Sequence, residues 1–258
     1  MKRTRPSQPL PSDGQGDLFA FSPLAKGSNR DGGNAADGAS CTIRLNGAAL
    51  VAEASGALWW PDQGTLVVAD LHLEKGSAFA ARGVMLPPYD TLATLERLAL
   101  AMRPRLARVI CLGDSFHDSD GPARLAAGDA ARLRDLTALT DWVWVAGNHD
   151  PALPAEIGGR RVADALRLGP LAFRHIAAEA PEPGEVSGHY HPKAGIVLRG
   201  RRIGGPCFLH DGRRLVMPAF GAYAGGLDAD DRALRGLFPG GCRIVLLARG
   251  RVLEWDAA

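Results

Sequence analysis

Thr65-Leu66-Val67-Val68-Ala69, followed at once by Asp70-Leu71-His72, decides how this chain is read. A short apolar run rich in β-branched residues makes a buried strand. A carboxylate and an imidazole stand directly past its end. The same grammar recurs downstream, where Val109 to Leu112 runs into Gly113-Asp114 and Trp142 to Ala146 runs into Gly147-Asn148-His149-Asp150. Two further polar clusters follow, the lone His175 and Gly188-His189-Tyr190-His191. Polar groups just past strand ends sit at the rim of a sheet, free to converge on one point. Carboxylate, amide and imidazole are the ligand set of borderline divalent metals such as manganese, iron and zinc. The pattern reads as an enzyme with a two-metal site.

Working outward, Tyr89 to Met102 carries Leu92, Leu95, Leu98 and Met102 at close to helical spacing, with Asp90 near its start and Pro104 as its stop. Ala123 to Leu136 is Ala-, Leu- and Arg-rich and reads as a second helix. Strands at Thr65–Ala69, Arg108–Leu112 and Asp141–Ala146 around these helices give a βαβαβ alternation, which implies a parallel sheet flanked by helices. Upstream, Thr42–Leu45, Leu50–Ala52 and Ala57–Trp60 read as strands, with Asn46-Gly47 as a hairpin turn. From Leu171 onward the chain changes character. Short apolar runs at Leu171–Phe173, Ile196–Leu198, Cys207–Leu209, Arg214–Met217, Ile244–Leu247 and Val252–Leu253 are separated by Gly/Pro turns, which predicts a second sheet packed on the first.

The bulk numbers fit this picture. With 258 residues, 46% hydrophobic and 22% charged, the chain has the composition of an ordinary globular protein with a substantial core. A formal net charge of +2 neither demands nor excludes a nucleic-acid partner, because a basic groove can exist on a nearly neutral protein. Cys41, Cys111, Cys207 and Cys242 are far apart and form no C-x-x-C pair, so reduced buried thiols are expected rather than a zinc ribbon. No apolar run is long enough to span a membrane. The basic start Met1 to Arg5 leads into Pro/Ser/Asp/Gly-rich sequence rather than a hydrophobic signal region, so the expected location is the cytoplasm. Residues 1–40 are too poor in apolar groups to offset the entropy of ordering, and a disordered tail is expected there, with Leu18, Phe19 and Phe21 its one apolar cluster. The folded domain is expected over residues 41–258.

The order D-x-H, G-D, G-N-H-D, a lone His and G-H-x-H over residues 42–258 resembles the calcineurin-like metallophosphoesterases. That resemblance implies an α/β fold of two packed mixed β-sheets flanked by helices, a four-layer αββα sandwich. It implies that Asp70, His72 and His191 hold one metal, that Asp114 is shared, and that Asn148, His175 and His189 hold the second. A bridging carboxylate keeps two cations about 3.5–4 Å apart, close enough for both to touch one phosphate. A metal-bridging hydroxide, formed near neutral pH, is then the expected nucleophile. His149 is expected to stay uncoordinated and donate a proton to the departing alkoxide. Asp150 either orients His149 or closes the turn, and His117 is expected close to the substrate. The implied cofactors are two divalent ions, Mn²⁺ first, with Fe or Zn as alternatives. Each piece also has a plainer role. Asp70 and Asp114 would serve as helix caps, His175 as a structural histidine, and His189 and His191 as loop imidazoles; all of these must hold together for the site to be absent. His210 matches no motif and is read as structural.

Three blocks, Val67 to Gly76, Cys111 to Asp118 and Met217 to Gly226, look like the ligase-associated DNA damage response endonucleases. The likeness implies DNA as the substrate, an endonuclease of DNA repair, and DNA ligase, helicase and exonuclease as pathway partners. The residues add their own hint of a polyanion. Arg199, Arg201, Arg202, Arg213 and Arg214 follow the His189/His191 loop, and Lys75 and Arg82 follow the first cluster. Such cations hold phosphates that flank a reacting one, with Arg201 and Arg202 the named candidates; solvated hairpin charges are the alternative. Beyond Phe116, Tyr190 and Tyr223 there is no row of aromatics for stacking, so base-specific reading is not expected. The rival enzyme is a phosphoesterase for a small nucleotide or sugar-nucleotide. A metal-free scaffold on the same fold is disfavoured by the full ligand set.

Overall fold

The computed structural model describes residues 38–180, 182–198 and 200–257. Seven strands make the first sheet in chain order: β1 (Ser40–Leu45), β2 (Ala48–Glu53), β3 (Leu58–Trp60), β4 (Thr65–Ala69), β5 (Arg108–Leu112), β6 (Asp141–Val145) and β7 (Arg160–Val162). Neighbours run antiparallel up to β4 and parallel from β4 to β7. The second sheet contains β8 (Ala165–Leu168), β9 (Leu171–Arg174), β10 (Glu185–Ser187), β11 (Lys193–Leu198), β12 (Arg201–His210), β13 (Arg214–Val216), β14 (Arg243–Ala248) and β15 (Arg251–Asp256). Its order is β15-β14-β12-β13-β10-β9-β8, with β11 paired to β12. The helices are α1 (Lys75–Ala81), α2 (Asp90–Ala101), α3 (Gly121–Arg124), α4 (Ala127–Ala138) and α5 (Arg232–Leu237). None is long and apolar enough to cross a membrane.

Strand alternation explains the layering. On β4 and β5, Val67, Ala69, Ile110 and Leu112 face the second sheet and meet Phe173, Val186, Phe208 and Leu215 in the central core. Their neighbours Leu66, Val68, Val109 and Cys111 turn the other way, under Leu95 and Leu98 of α2 and Leu133 of α4. A third cluster packs Leu234 of α5 and Phe238 on Cys207, Leu209, Val216 and Leu246. The result is helix, sheet, sheet, helix, the arrangement expected from the sequence.

Several elements follow the sequence closely. Asn46 and Gly47 both take positive φ, 45° and 86°, as a tight right-twisted hairpin turn requires. The helix expected over Tyr89–Met102 is α2. The one expected over Ala123–Leu136 is broken, because Leu125 and Ala126 are extended between α3 and α4. Helix α1 was not foreseen. It carries Gly76 in its first turn, a poor helix former, and is held by the Gly76 N–H donating to Asp90 Oδ2 at 3.0 Å. Strands β7, β8 and β10 and helix α5 were too short to register as periodic runs. Gly38 pairs with Val252 and Ser40 opens β1, so the end of the tail expected over residues 1–40 is paired; residues 1–37 of it, with the Leu18/Phe19/Phe21 cluster, lie outside the described residues, as does Arg199.

One buried ion cluster binds the strands of the second sheet that matter most below. Glu185 lies 2.7 Å from the Arg214 guanidinium and 3.4 Å from that of Arg174. Arg214 also donates to the carbonyls of Ala178 and Leu237, and the Ala178 N–H returns to Glu185. β9, β10 and β13 are thereby locked together. Glu185→Ala leaves both guanidinium groups inside without their counter-charge, and breaking a buried pair in this way costs about 3–5 kcal/mol. The expected reading is a lower urea midpoint at unchanged slope.

Candidate dimetal active site

Parallel register sets the site. Ala69, Leu112 and Val145 end β4, β5 and β6 side by side, so Asp70, Asp114 and Asn148 emerge along one rim, at the carboxyl ends of the strands. The second sheet delivers its ligands the same way. Ser187 pairs with Arg174, and the Gly188 N–H donates to the carbonyl of His175 at 3.0 Å. Backbone bonds stitch the loops across the two sheets: His72 N–H to Asp114 O at 2.9 Å, Gly221 N–H to Asp70 O at 3.1 Å and Phe220 N–H to Ala69 O at 2.8 Å.

The side chains converge as two adjoining sets, Asp70 with His72 and His191, and Asp114 with His175 and His189; within each set the ligand atoms lie within 4.8 Å of one another. In the first, His72 Nε2 and His191 Nε2 are 3.2 Å apart and His191 Nε2 is 3.2 Å from Asp70 Oδ1. In the second, His175 Nε2 is 3.3 Å from Asp114 Oδ2, 3.2 Å from His189 Nδ1 and 2.9 Å from Asn148 Oδ1. Bonds of about 2.0–2.2 Å to one cation put neighbouring ligand atoms roughly 3–3.5 Å apart, so these separations fit. His175 Nδ1 faces the Leu112 carbonyl at 3.0 Å. A carbonyl only accepts, so a hydrogen sits on Nδ1 and Nε2 is the atom turned into the set, where a cation would take its lone pair in place of a proton, the usual orienting device of a metal-bound imidazole. The residues present fit two divalent ions.

Electrostatics agree. Asp70 and Asp114 are buried, and among the described residues the ion-pair partners of both are imidazoles. Burial alone would lower His175, but its hydrogen bond to Asp114 and the charges of Asp70 and Asp114 push it up to about 9. Burial raises Asp114, yet the hydrogen bonds from His175 and from the His149 N–H hold its carboxyl well below the usual range. Burial, then the charge of His191, takes His72 down to about 3. Burial and the charge of His175 lower His189. The rim thus sets two buried carboxylates beside His72 and His189, both biased toward the neutral form, and a His175 biased toward the charged form, whose proton a cation would replace.

Holding this arrangement strains the backbone. Asp70, His72, Asp114, His189 and His191 all take positive φ, between 44° and 73°, at an order of 1–3 kcal/mol each for residues other than glycine. Gly147 is needed for close approach, since a Cβ there would stand 2.1 Å from the Asp114 backbone nitrogen. Gly113, at φ 68°, would drive a Cβ to 2.4 Å from the His175 ring.

The remaining candidates separate. His149 stands at the mouth with its side chain 40% exposed, Nδ1 2.7 Å from the His117 carbonyl and Nε2 3.9 Å from Asp114 Oδ2. The His117 ring stacks on it at 5.6 Å and lies 5.6 Å from His72; burial, then Lys75, lowers His117 to about 4. Asp150 accepts from the N–H groups of Phe116 at 3.0 Å and Gly147 at 3.2 Å. Its carboxylate therefore fastens two ligand-bearing turns together, and the group facing His149 Nδ1 is the His117 carbonyl. Burial and the charge of Asp114 raise Asp150 to about 6 against those amide bonds. Arg201 and Arg202 stand apart, exposed at the tip of the β11–β12 hairpin, about 17 Å of extended strand from Lys193. Arg214 is buried in the Glu185 cluster and is not free to meet a phosphate. The sequence reading missed Glu74, buried in αL conformation with its carboxylate on Ser77 and Thr91, and Lys193; adjacency to Asp70-Leu71-His72 and to His191 was the available signal for each.

Residues 65–213 match the family model described as calcineurin-like phosphoesterase. Among solved structures, the chain is similar to the crystal structure of Pseudomonas putida nuclease MPE, with 30% identity over 84% of this chain and 100% of that one and a TM-score of 0.64. The search of curated proteins found no match. The strand-end ligand sets, the double-sheet fold and the family match agree, and the chain belongs to the calcineurin-like phosphoesterase family.

Proposed function

We propose that this chain is a phosphodiesterase with two Mn²⁺ ions that cuts DNA endonucleolytically in repair, as a member of the ligase-associated DNA damage response group. The observation that supports it most is the meeting of seven side chains from five separate stretches as two adjoining ligand sets beside an exposed imidazole. The likeness to a Pseudomonas putida nuclease over that chain's full length favours DNA over a small nucleotide. The catalytic domain spans residues 41–258, the setting is the cytoplasm, and DNA ligase, helicase and exonuclease are the partners in this reading.

In it, Asp70, His72 and His191 would hold one ion, Asn148, His175 and His189 the other, and Asp114 would serve as the shared carboxylate. When bound, the pair neutralises phosphoryl oxygens and acidifies water. The chain supplies the rest. Leu112 and Asp150 fix the ligands that carry the second ion. His149 keeps one hydrogen on Nδ1 against the His117 carbonyl and, as imidazolium, gives the other from Nε2 to the leaving oxygen. His117 walls the approach, and Arg201 and Arg202 meet phosphates remote from the cut.

Protein loaded with Mn²⁺ is expected to nick supercoiled plasmid; hydrolysis of small nucleotides with the plasmid left intact would favour the small-substrate enzyme instead. Asp114→Ala is expected to bring activity to background with a fall in bound Mn²⁺ by elemental analysis, and retention of both ions would refute the shared-ligand role. Gly147→Ala is expected to lower Mn²⁺ stoichiometry although it removes no ligand. His149→Ala is expected to keep both ions and to slow natural phosphodiesters about 10²–10⁴-fold, with a much smaller loss on p-nitrophenyl esters, whose leaving group needs no proton. Equal losses on both would count against proton donation.

A further inference from the structure

Two lysines follow members of the Asp70/His72/His191 set closely in the chain. Lys75 opens α1 just after His72, and Lys193 opens β11 just after His191. Both are half-buried, and neither takes part in an ion pair among the described residues. The neighbouring acids make their hydrogen bonds elsewhere: Glu74 with Ser77 and Thr91, Asp90 Oδ2 with the Gly76 N–H at 3.0 Å, and Asp228 Oδ1 with the Asp230 N–H at 3.0 Å. What the amines have instead is weak. The Lys75 ammonium lies 5.7 Å from the Phe79 ring centroid, and Lys193 Nζ is 3.5 Å from the Ala224 carbonyl. Burial and then the charge of Lys193 lower Lys75, against a smaller opposing effect of Asp90, and burial lowers Lys193.

Partly desolvated like charges with no ion pair of their own are unfavourable until an anion completes them. That anion is not the one held between the ligand sets. From Lys75 the ring contacts run through Phe79 and His117 before reaching a metal-ligand candidate, with the Phe79 and His117 centroids 5.7 Å apart and His117 a further 5.6 Å from His72. The amines therefore reach a group one step removed from the reacting phosphorus. We infer that Lys75 and Lys193 form a subsite for the phosphate adjacent to the scissile one, so that the site selects a polynucleotide strand over an isolated phosphodiester. This rests on the nuclease reading above and names what that site recognises.

The test compares kcat/KM on bis(p-nitrophenyl) phosphate, which has a single phosphate, with that on an oligothymidylate, for wild type, Lys75→Met, Lys193→Met and Lys75→Arg, each checked for Mn²⁺ content. The expected result is a loss on the oligonucleotide at least tenfold larger than on the small ester for both Met variants. Partial rescue by Arg is expected, together with a salt dependence shallower by about 0.7 in log–log slope per lysine removed. An equal loss on both substrates would put the amines at the reacting phosphate or in folding. No selective loss would make them solvated rim charges. Either outcome overturns the subsite while leaving the nuclease reading intact. Wild type that hydrolyses the small ester and spares the oligonucleotide would overturn both.

Discussion

Two carboxylates withdrawn from water within one rim govern this molecule. Asp70 and Asp114 are buried, and neither has a lysine or arginine as ion-pair partner among the described residues. Carboxylates in such surroundings require compensation. The chain provides it with amide N–H groups and imidazoles: the His189 N–H reaches Asp70 at 2.9 Å and the His149 N–H reaches Asp114 at 3.0 Å. Those contacts orient the oxygens without neutralising them. Buried carboxylates aimed at a common point, with imidazole nitrogens around them and only His175 biased toward the charged form, are what divalent cations bind.

The two sheets exist, from the site's point of view, to make that concentration of charge tolerable. Parallel register brings three strand ends of the first sheet level with one another. The Glu185–Arg214–Arg174 cluster fixes the three strands of the second. Asp150 then ties the Asp114 and Asn148 turns by backbone amides alone. Strained φ values at five ligands persist because the surroundings over-determine them. Stability sits in the layers, and the rim draws on it.

Much of this was legible in the sequence because strand periodicity and residue type are local properties. Thr65–Ala69 and Arg108–Leu112 could be bounded correctly, since an apolar run ended by Asp or Gly-Asp has one reading. The ligand sets were legible for a different reason: their order along the chain resembles a known family, and geometry then had to agree. What stayed hidden was set by tertiary contact. Helix α1, with a glycine in its first turn, is held by Asp90 from the next element. The arginines read as one basic cluster were dispersed by the fold. Arg214 turned inward to Glu185, while Arg201 and Arg202 went to the end of a projecting hairpin. Charge adjacency in sequence does not survive a long strand that carries its residues one by one away from the turn. Asp150 could not be assigned between its two roles until the amides of Phe116 and Gly147 were seen to fill its oxygens.

The dispersal of the ligands has a consequence for synthesis. Asp70 arrives early, yet its set closes only with His191, and the Gly221 N–H that caps the Asp70 carbonyl comes later still. Domains begin to fold as they leave the ribosome, N-terminal parts first, and a chain that has passed Val162 but not His189 can present the first sheet without either complete cation set. Completion of both cation sets is thus postponed until the second sheet supplies its loops, and a chain truncated before them carries only part of each set, by topology alone.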